Sequence, residues 1–258
     1  MKLFCWISLL VSAASLAAVE PKAHCDDIPK VTYYSQRILR FLDHWPPPTL
    51  SLRDSRPVLI RAIRTPGEPG IIGVVKHFEV KFPLARVAEL TERFEDYPKI
   101  WEDVVSVTVR SREGNQTVTD WVRRAPAFFL PRIRFRMLYT TDKMKPGRVV
   151  YRQQLIEGNS VSASDALVVL EGIGENETRI SVLDFFSPDM GPFRPLIEGK
   201  IWKKSMENSF KDDIAFRARL EHPDWSLDQI GHEADRELDL HPIEEVQYTD
   251  LIHLSDGP

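Results

Sequence analysis

Cysteine is nearly absent: Cys5 and Cys25 are the two in 258 residues. The first falls in the opening stretch MKLFCWISLLVSAASLAA, where a lone Lys2 precedes an apolar run and small residues, with Ser15 and Ala17 at the spacing a signal peptidase favours. Residues 1–18 are therefore expected to form a cleaved secretory signal. An uncleaved anchor is the alternative, disfavoured because the run is short for a membrane span. Cleavage leaves Cys25 alone in a compartment that permits disulfides, so no internal bridge is expected. Lys22-Ala23-His24 before it are not the small apolar set expected ahead of a lipidated cysteine, and no cationic cluster marks a reactive thiolate. No later apolar run is long enough for a span. The expectation is a secreted or periplasmic protein, soluble after cleavage.

Catalytic and cofactor motifs are also missing. There is no glycine-rich phosphate loop, no HExxH, no paired-cysteine metal motif and no GxSxG elbow. Catalysis is not excluded by that, and a non-enzymatic role is the preferred reading. Four of the seven histidines (His222, His232, His241, His253) stand among acidic residues, but their spacings match no ligand pattern, and solvated side chains are the blander account. No metal and no cofactor are expected.

Charge is unevenly placed. The net charge is −4, yet from His222 onward ten acidic residues face Arg236 alone, which leaves the rest of the chain net basic at +5. An acidic tail after a mildly basic body favours a tail folded back on that body or simply kept soluble. Asn115-Gln-Thr and Asn176-Glu-Thr fit the glycosylation acceptor pattern, a short pattern that matters only in a host that glycosylates.

With 43% hydrophobic residues the chain can bury a real core. Its main organiser is the stretch from Pro192 to His222, which reads as one long helix of about 40 Å. Trp202, Met206, Phe210, Ile214 and Ala218 recur at i, i+4. Lys200, Lys203, Lys204, Glu207, Lys211, Asp212, Asp213 and Arg217 between them predict a charged face toward water. Upstream, residues 19–70 hold a predicted helix from Asp26 to Trp45, stopped by Pro46, Pro47 and Pro48. An extended connector follows, with one strand-like run, Val58 to Ile63.

From Ile71 the order is a strand, a helix opened by Pro83 with Leu84, Val87 and Leu90 on one side, a shorter helical turn in DYPKIWEDV, and six strand-like runs separated by turn residues. That order, the DYPKIWEDVV phrase and a terminal helix after an SPDMGPF turn resemble the START-like superfamily, which includes polyketide cyclases, coenzyme-Q-binding chaperones and sterol or phospholipid carriers. The resemblance covers about Ile71 to His222. It implies an α+β helix-grip fold: a curved antiparallel sheet of about seven strands wrapped around the long C-terminal helix, with a cavity between them. Residues 71–222 would be the ligand-binding domain and 223–258 an acidic tail.

In an antiparallel meander, alternate turns share an end. Three turns gather Phe128, Phe129, Leu130, Met190 and Phe193 at one rim, which the resemblance makes the cavity mouth. Flanked by Arg123, Arg124, Arg132, Arg134 and Arg136, that rim suits an anionic membrane surface; packing of the same residues onto the helix is the alternative. Arg132, Arg134 and Arg136 alternate with Ile133, Phe135 and Met137, so a solvated outer sheet face is the simplest account of the arginines, and no nucleic-acid surface is expected.

The residues expected to line the cavity are Trp121, Tyr139, Tyr151, Asp165, Asp184, Phe186, Ile201, Met206 and Phe210, with ordinary core packing as the alternative. Strand alternation places Ile180, Val182, Asp184 and Phe186 on one inward face, and Val161, Ala163, Asp165, Leu167 and Val169 on another. Asp184 and Asp165 would pair with Arg152, bond to Tyr139 or Tyr151, or hold the polar head of a ligand; with the opposite register one of them is exposed. Three functions follow: a carrier or sensor for a lipid, sterol or isoprenoid, a cyclase or hydrolase using a cavity Asp and a Tyr, and an interaction module with a filled pocket.

Overall fold

The computed structural model describes residues 57–64, 72–124, 132–159, 161–188, 194–243 and 248–250. The expected signal, the predicted helix of residues 26–45, and the turns carrying Phe128, Phe129, Leu130, Met190 and Phe193 lie outside the described residues.

Seven strands form the expected meander: β2 (Ile72–Val80), β3 (Val104–Glu113), β4 (Gln116–Arg123), β5 (Ile133–Lys145), β6 (Arg148–Gly158), β7 (Val161–Gly174) and β8 (Glu177–Pro188). Each of β3 to β7 pairs antiparallel with the next, and β8 pairs back to β2. Two further strands extend the sheet. The run expected to lie on the domain as a connector is β1 (Leu59–Arg64), antiparallel to β2, and β9 (Tyr248–Asp250) adds to β1 in parallel, giving the order β3-β4-β5-β6-β7-β8-β2-β1-β9. The reason is hydrogen bonding: β1 covers a row of β2 amides and carbonyls that would otherwise form an open edge. Gly114 and Gly147, at φ 59° and 80°, make the tight β3–β4 and β5–β6 turns.

The helices are α1 (Leu84–Glu92), a 3₁₀ turn (Phe94–Lys99), the long α2 (Arg194–Glu221) and α3 (Leu227–Leu240). On α2 the predicted stripe faces the sheet: Met206, Phe210, Ile214 and Ala218 are buried. The predicted water-facing set needs a correction, because Asp213 is buried and accepts from Lys76 of β2 at 2.7 Å. A carboxylate on that side of the helix survives burial because the sheet supplies its counter-ion. α3 arises inside the acidic tail. Ser226 and Gln229 close a reciprocal capping box at its start, and Ile230 and Ala234 are buried beneath it.

The concave face of the sheet has two unlike ends. At the end of the β7–β8 turn, α1 and the 3₁₀ turn plug it: Val87, Leu90, Phe94 and Tyr97 join Val80, Val149, Tyr151, Leu170 and Ile180 in one core. α1 lies against the sheet there: a Cβ on Gly172 would make ordinary van der Waals contact with Leu84 at 3.7 Å. Toward the other end, where β4, β6 and β8 finish, the face is hollow. The convex face also carries a buried row, including Val75, Leu138, Val150, Leu167, Val169 and Leu183.

Candidate functional site: a chamber between sheet and helix

The hollow end is a chamber of about 700 Å³. Inward positions of β4 and β5 supply its wall: Trp121, then Ile133, Phe135, Met137 and Tyr139, alternate residues that share a face because strand side chains repeat every second residue. Leu155 continues that wall on β6. The aromatic rings form a ladder. Phe94 packs on Tyr139 at 4.5 Å between centroids, Tyr97 on Trp121 at 5.4 Å, and Trp101, Trp121 and Phe135 stack at 6.4 and 5.6 Å with small interplanar angles. Trp101 is held in place by its indole N–H, which donates to the Asp212 carbonyl at 2.9 Å, and Trp121 donates to the Thr119 hydroxyl at 2.8 Å. With their N–H groups satisfied, the buried Trp121 and the half-buried Trp101 add apolar surface to the chamber wall without an unmet donor.

The α2 side is largely polar. Ser205, Asn208, Ser209 and Asp212 of α2 line the chamber, and Leu227, Ile230, Gly231 and Ala234 of α3 line it together with Ile100 and Trp101. At the border, Arg123 makes a two-point ion pair with Asp103, at 2.7 and 2.9 Å, and reaches Asp212 at 3.5 Å. Burial pulls the Arg123 guanidinium down, but Asp212 and Asp103 outweigh it and hold it above its ordinary value. Asp212 itself is raised by burial, against the pull of Arg123.

Asp184 enters from β8, half-buried and open to the chamber. Its neighbours across the sheet are Val74 on β2 and Ala166 on β7. Burial pushes its carboxyl up to about 6, against the attraction of Lys76. Asp213 is likewise pushed up to about 6 by burial, opposed by Lys76.

Of the expected lining residues, Trp121, Tyr139 and Asp184 meet at the chamber. Four do not. Tyr151 faces inward but lies in the plugged half, where its hydroxyl donates to Glu92 at 2.9 Å. Met206 and Phe210 are buried in the core against the sheet. Asp165 is on the convex face: the inward set on β7 is Ser164, Ala166, Val168 and Leu170, after a register shift between Val161 and Ala163. There it lies 3.6 Å from Arg152, one of the partners expected for it. The backbones of Phe186 and Ile201 are on β8 and α2, but their side chains lie outside the described residues. At the expected rim, Arg124 is exposed at the chamber border, 3.9 Å from Glu102, and Arg132 is exposed at the start of β5. Arg136 is on the outer face as expected, paired with Asp120 and Glu157 at 2.7 and 2.9 Å.

Sequence reasoning missed Trp101, the Arg123 network and the whole contribution of α3. A signal was present for the helix side: Ser205, Ser209 and Asp212 recur at i, i+4, i+7, a polar strip adjoining the apolar one.

A curved antiparallel sheet that grips one long helix and leaves one end of its concave face hollow is the START-like helix-grip fold. No family model matches the sequence, and no curated protein matches it either. Solved structures match the fold. Human STARD10 is 15% identical, with 86% of this chain and 92% of that chain covered at a TM-score of 0.57. A STAR-related lipid transfer protein from Xanthomonas axonopodis is 13% identical over 66% of this chain and 97% of that one, at 0.55. A protein from Thermus thermophilus is 21% identical over 59% and 99%, at 0.52.

Proposed function

We propose that this chain is an exported carrier or sensor that binds one hydrophobic molecule, such as a lipid, sterol or isoprenoid, between sheet and helix. The observation that carries this is the chamber: a volume of about 700 Å³, within the range of small-molecule sites, walled by stacked aromatic rings at one end of a sheet whose other end is densely filled. An apolar molecule entering it is driven by desolvation, at roughly 25 cal/mol per Å² buried. The name of the Xanthomonas neighbour, a lipid transfer protein, points the same way. Export is supported by the signal-like residues 1–18. Transient membrane contact at Phe128, Phe129 and their arginine flank would give an apolar cargo a route that avoids water.

Native mass spectrometry of the protein from its own host, with organic extraction, tests the reading. A stoichiometric apolar ligand is expected. An empty protein that also takes up nothing from a lipid panel overturns it in favour of an interaction module. Phe128→Asp with Phe129→Asp should slow ligand transfer between vesicles while the protein stays folded; unchanged transfer would remove the rim from the mechanism. The cyclase or hydrolase alternative predicts that Asp184→Asn abolishes turnover in a substrate screen while ligand binding survives.

A further inference from the structure

The charged residues that line the chamber are nearly all spoken for. Arg123 is shared between Asp103 and Asp212, Arg124 stands 3.9 Å from Glu102, and Lys211 is 2.5 Å from Asp235 on α3. Lys76, the cation that attracts Asp184 most, is bonded instead to Asp213 at 2.7 Å. Asp184 alone among the described lining charges has no ion pair and no hydrogen bond from a side chain. Its flanks across the sheet, Val74 and Ala166, have nothing to donate. A half-buried carboxyl between two apolar flanks, bonded to no side chain, is left to water until a group that can donate to it arrives.

This inference rests on the reading of the chamber as a ligand site. From the geometry we infer that Asp184 is the recognition point for the polar end of the cargo, and that the cargo is an apolar molecule bearing a single hydrogen-bond donor, a hydroxyl or amino group. A carboxylate offers only acceptors, so it selects a donor. A fatty acid or other anionic head meets the opposite situation: Asp184, Asp212, Asp103 and Glu102 all face the chamber, and each cation beside them is engaged. The donor head lies at Asp184 while the apolar body runs along the ring stack of Trp121 and Phe135.

The test uses four probes that share one chain and differ at the head: tetradecanol, tetradecylamine, tetradecyl methyl ether and tetradecanoic acid. Binding is read from the fluorescence of Trp101 and Trp121, which line the chamber. A hydrogen bond to a charged group predicts that a donor probe binds the wild-type protein about tenfold or more tightly than the ether and the acid. Asp184→Leu should collapse that ratio to about twofold by weakening the donor probe. The wild-type ratio needs no variant, so a folding defect in Asp184→Leu cannot hide the answer. Equal binding of all four probes, or tightest binding of the acid, overturns the role of Asp184 and leaves the carrier reading standing. Failure of every probe to bind counts against the carrier reading itself, and the assignment of Asp184 falls with it.

Discussion

The two ends of the concave sheet face are built from the same kinds of strand and end in opposite states. At one end α1 and the 3₁₀ turn bring Val87, Leu90, Phe94 and Tyr97 down onto Tyr151, Leu170 and Ile180. At the other, Phe135 and Leu155 face a void and a helix side made of Ser205, Ser209 and Asp212. What separates them is the covering element and not the strands. An amphipathic helix fills the first end, whereas the long helix shows its polar strip to the second. A hollow therefore persists where a polar surface opposes an apolar one, because neither gains by collapsing onto the other.

That contrast can be broken by mutation. The largest effect is expected from Phe94→Ala, which opens a cavity in the filled half and should cost about 3–5 kcal/mol by urea unfolding. Phe135→Ala, already beside a void, should cost about 1–2 kcal/mol. Equal losses would mean that the halves are packed alike. At the border, Lys76→Met strands Asp213 and should cost about 3 kcal/mol at pH 8. Because Asp213 lies up to about 6 when folded, the loss should shrink as acidification protonates it; a pH-independent loss would count against the pair.

Asp184→Asn should act in the other direction. The folded carboxyl is raised to about 6 against an ordinary 3.8, so the folded state holds more protons between those values, and stability falls as pH rises through that window. Removing the charge should raise stability by about 1–2 kcal/mol at pH 8 and by progressively less below pH 6, since the chamber keeps the group in part contact with solvent. The smallest change is expected from Arg124→Ala, exposed and 3.9 Å from Glu102, within about 0.5 kcal/mol of wild type.

The element order and the inward faces of β5 and β8 were legible because their alternation is clean: Ile133, Phe135 and Met137 against three arginines, and Ile180, Val182 and Asp184 in step. β7 was not. It is buried on both faces, so Leu167 and Val169 look as inward as Val168 and Leu170, and period two loses its meaning. Asp165 was assigned to the wrong face for that reason. Which core aromatics border the void was equally hidden, since Tyr139 and Tyr151 have the same chemistry and differ only in what a distant helix brings over them. α3 was not legible in the sequence, where the stretch reads as an acidic tail, because its acidity hides the few apolar residues that bury and the Ser226–Gln229 capping box that starts it.

The sheet is closed by partners far apart in the chain. β2 waits through roughly a hundred residues for β8, and β1 is joined by β9 only after roughly 180. Such pairings form slowly, because a long loop must be ordered before any contact rewards it. While β8 is still being synthesised, β2 lacks that neighbour and the chamber lacks the strand that carries Asp184. A chain laid out this way has a late-forming core, which on the proposed route of export leaves it time to cross a membrane extended and to acquire its hollow on the far side.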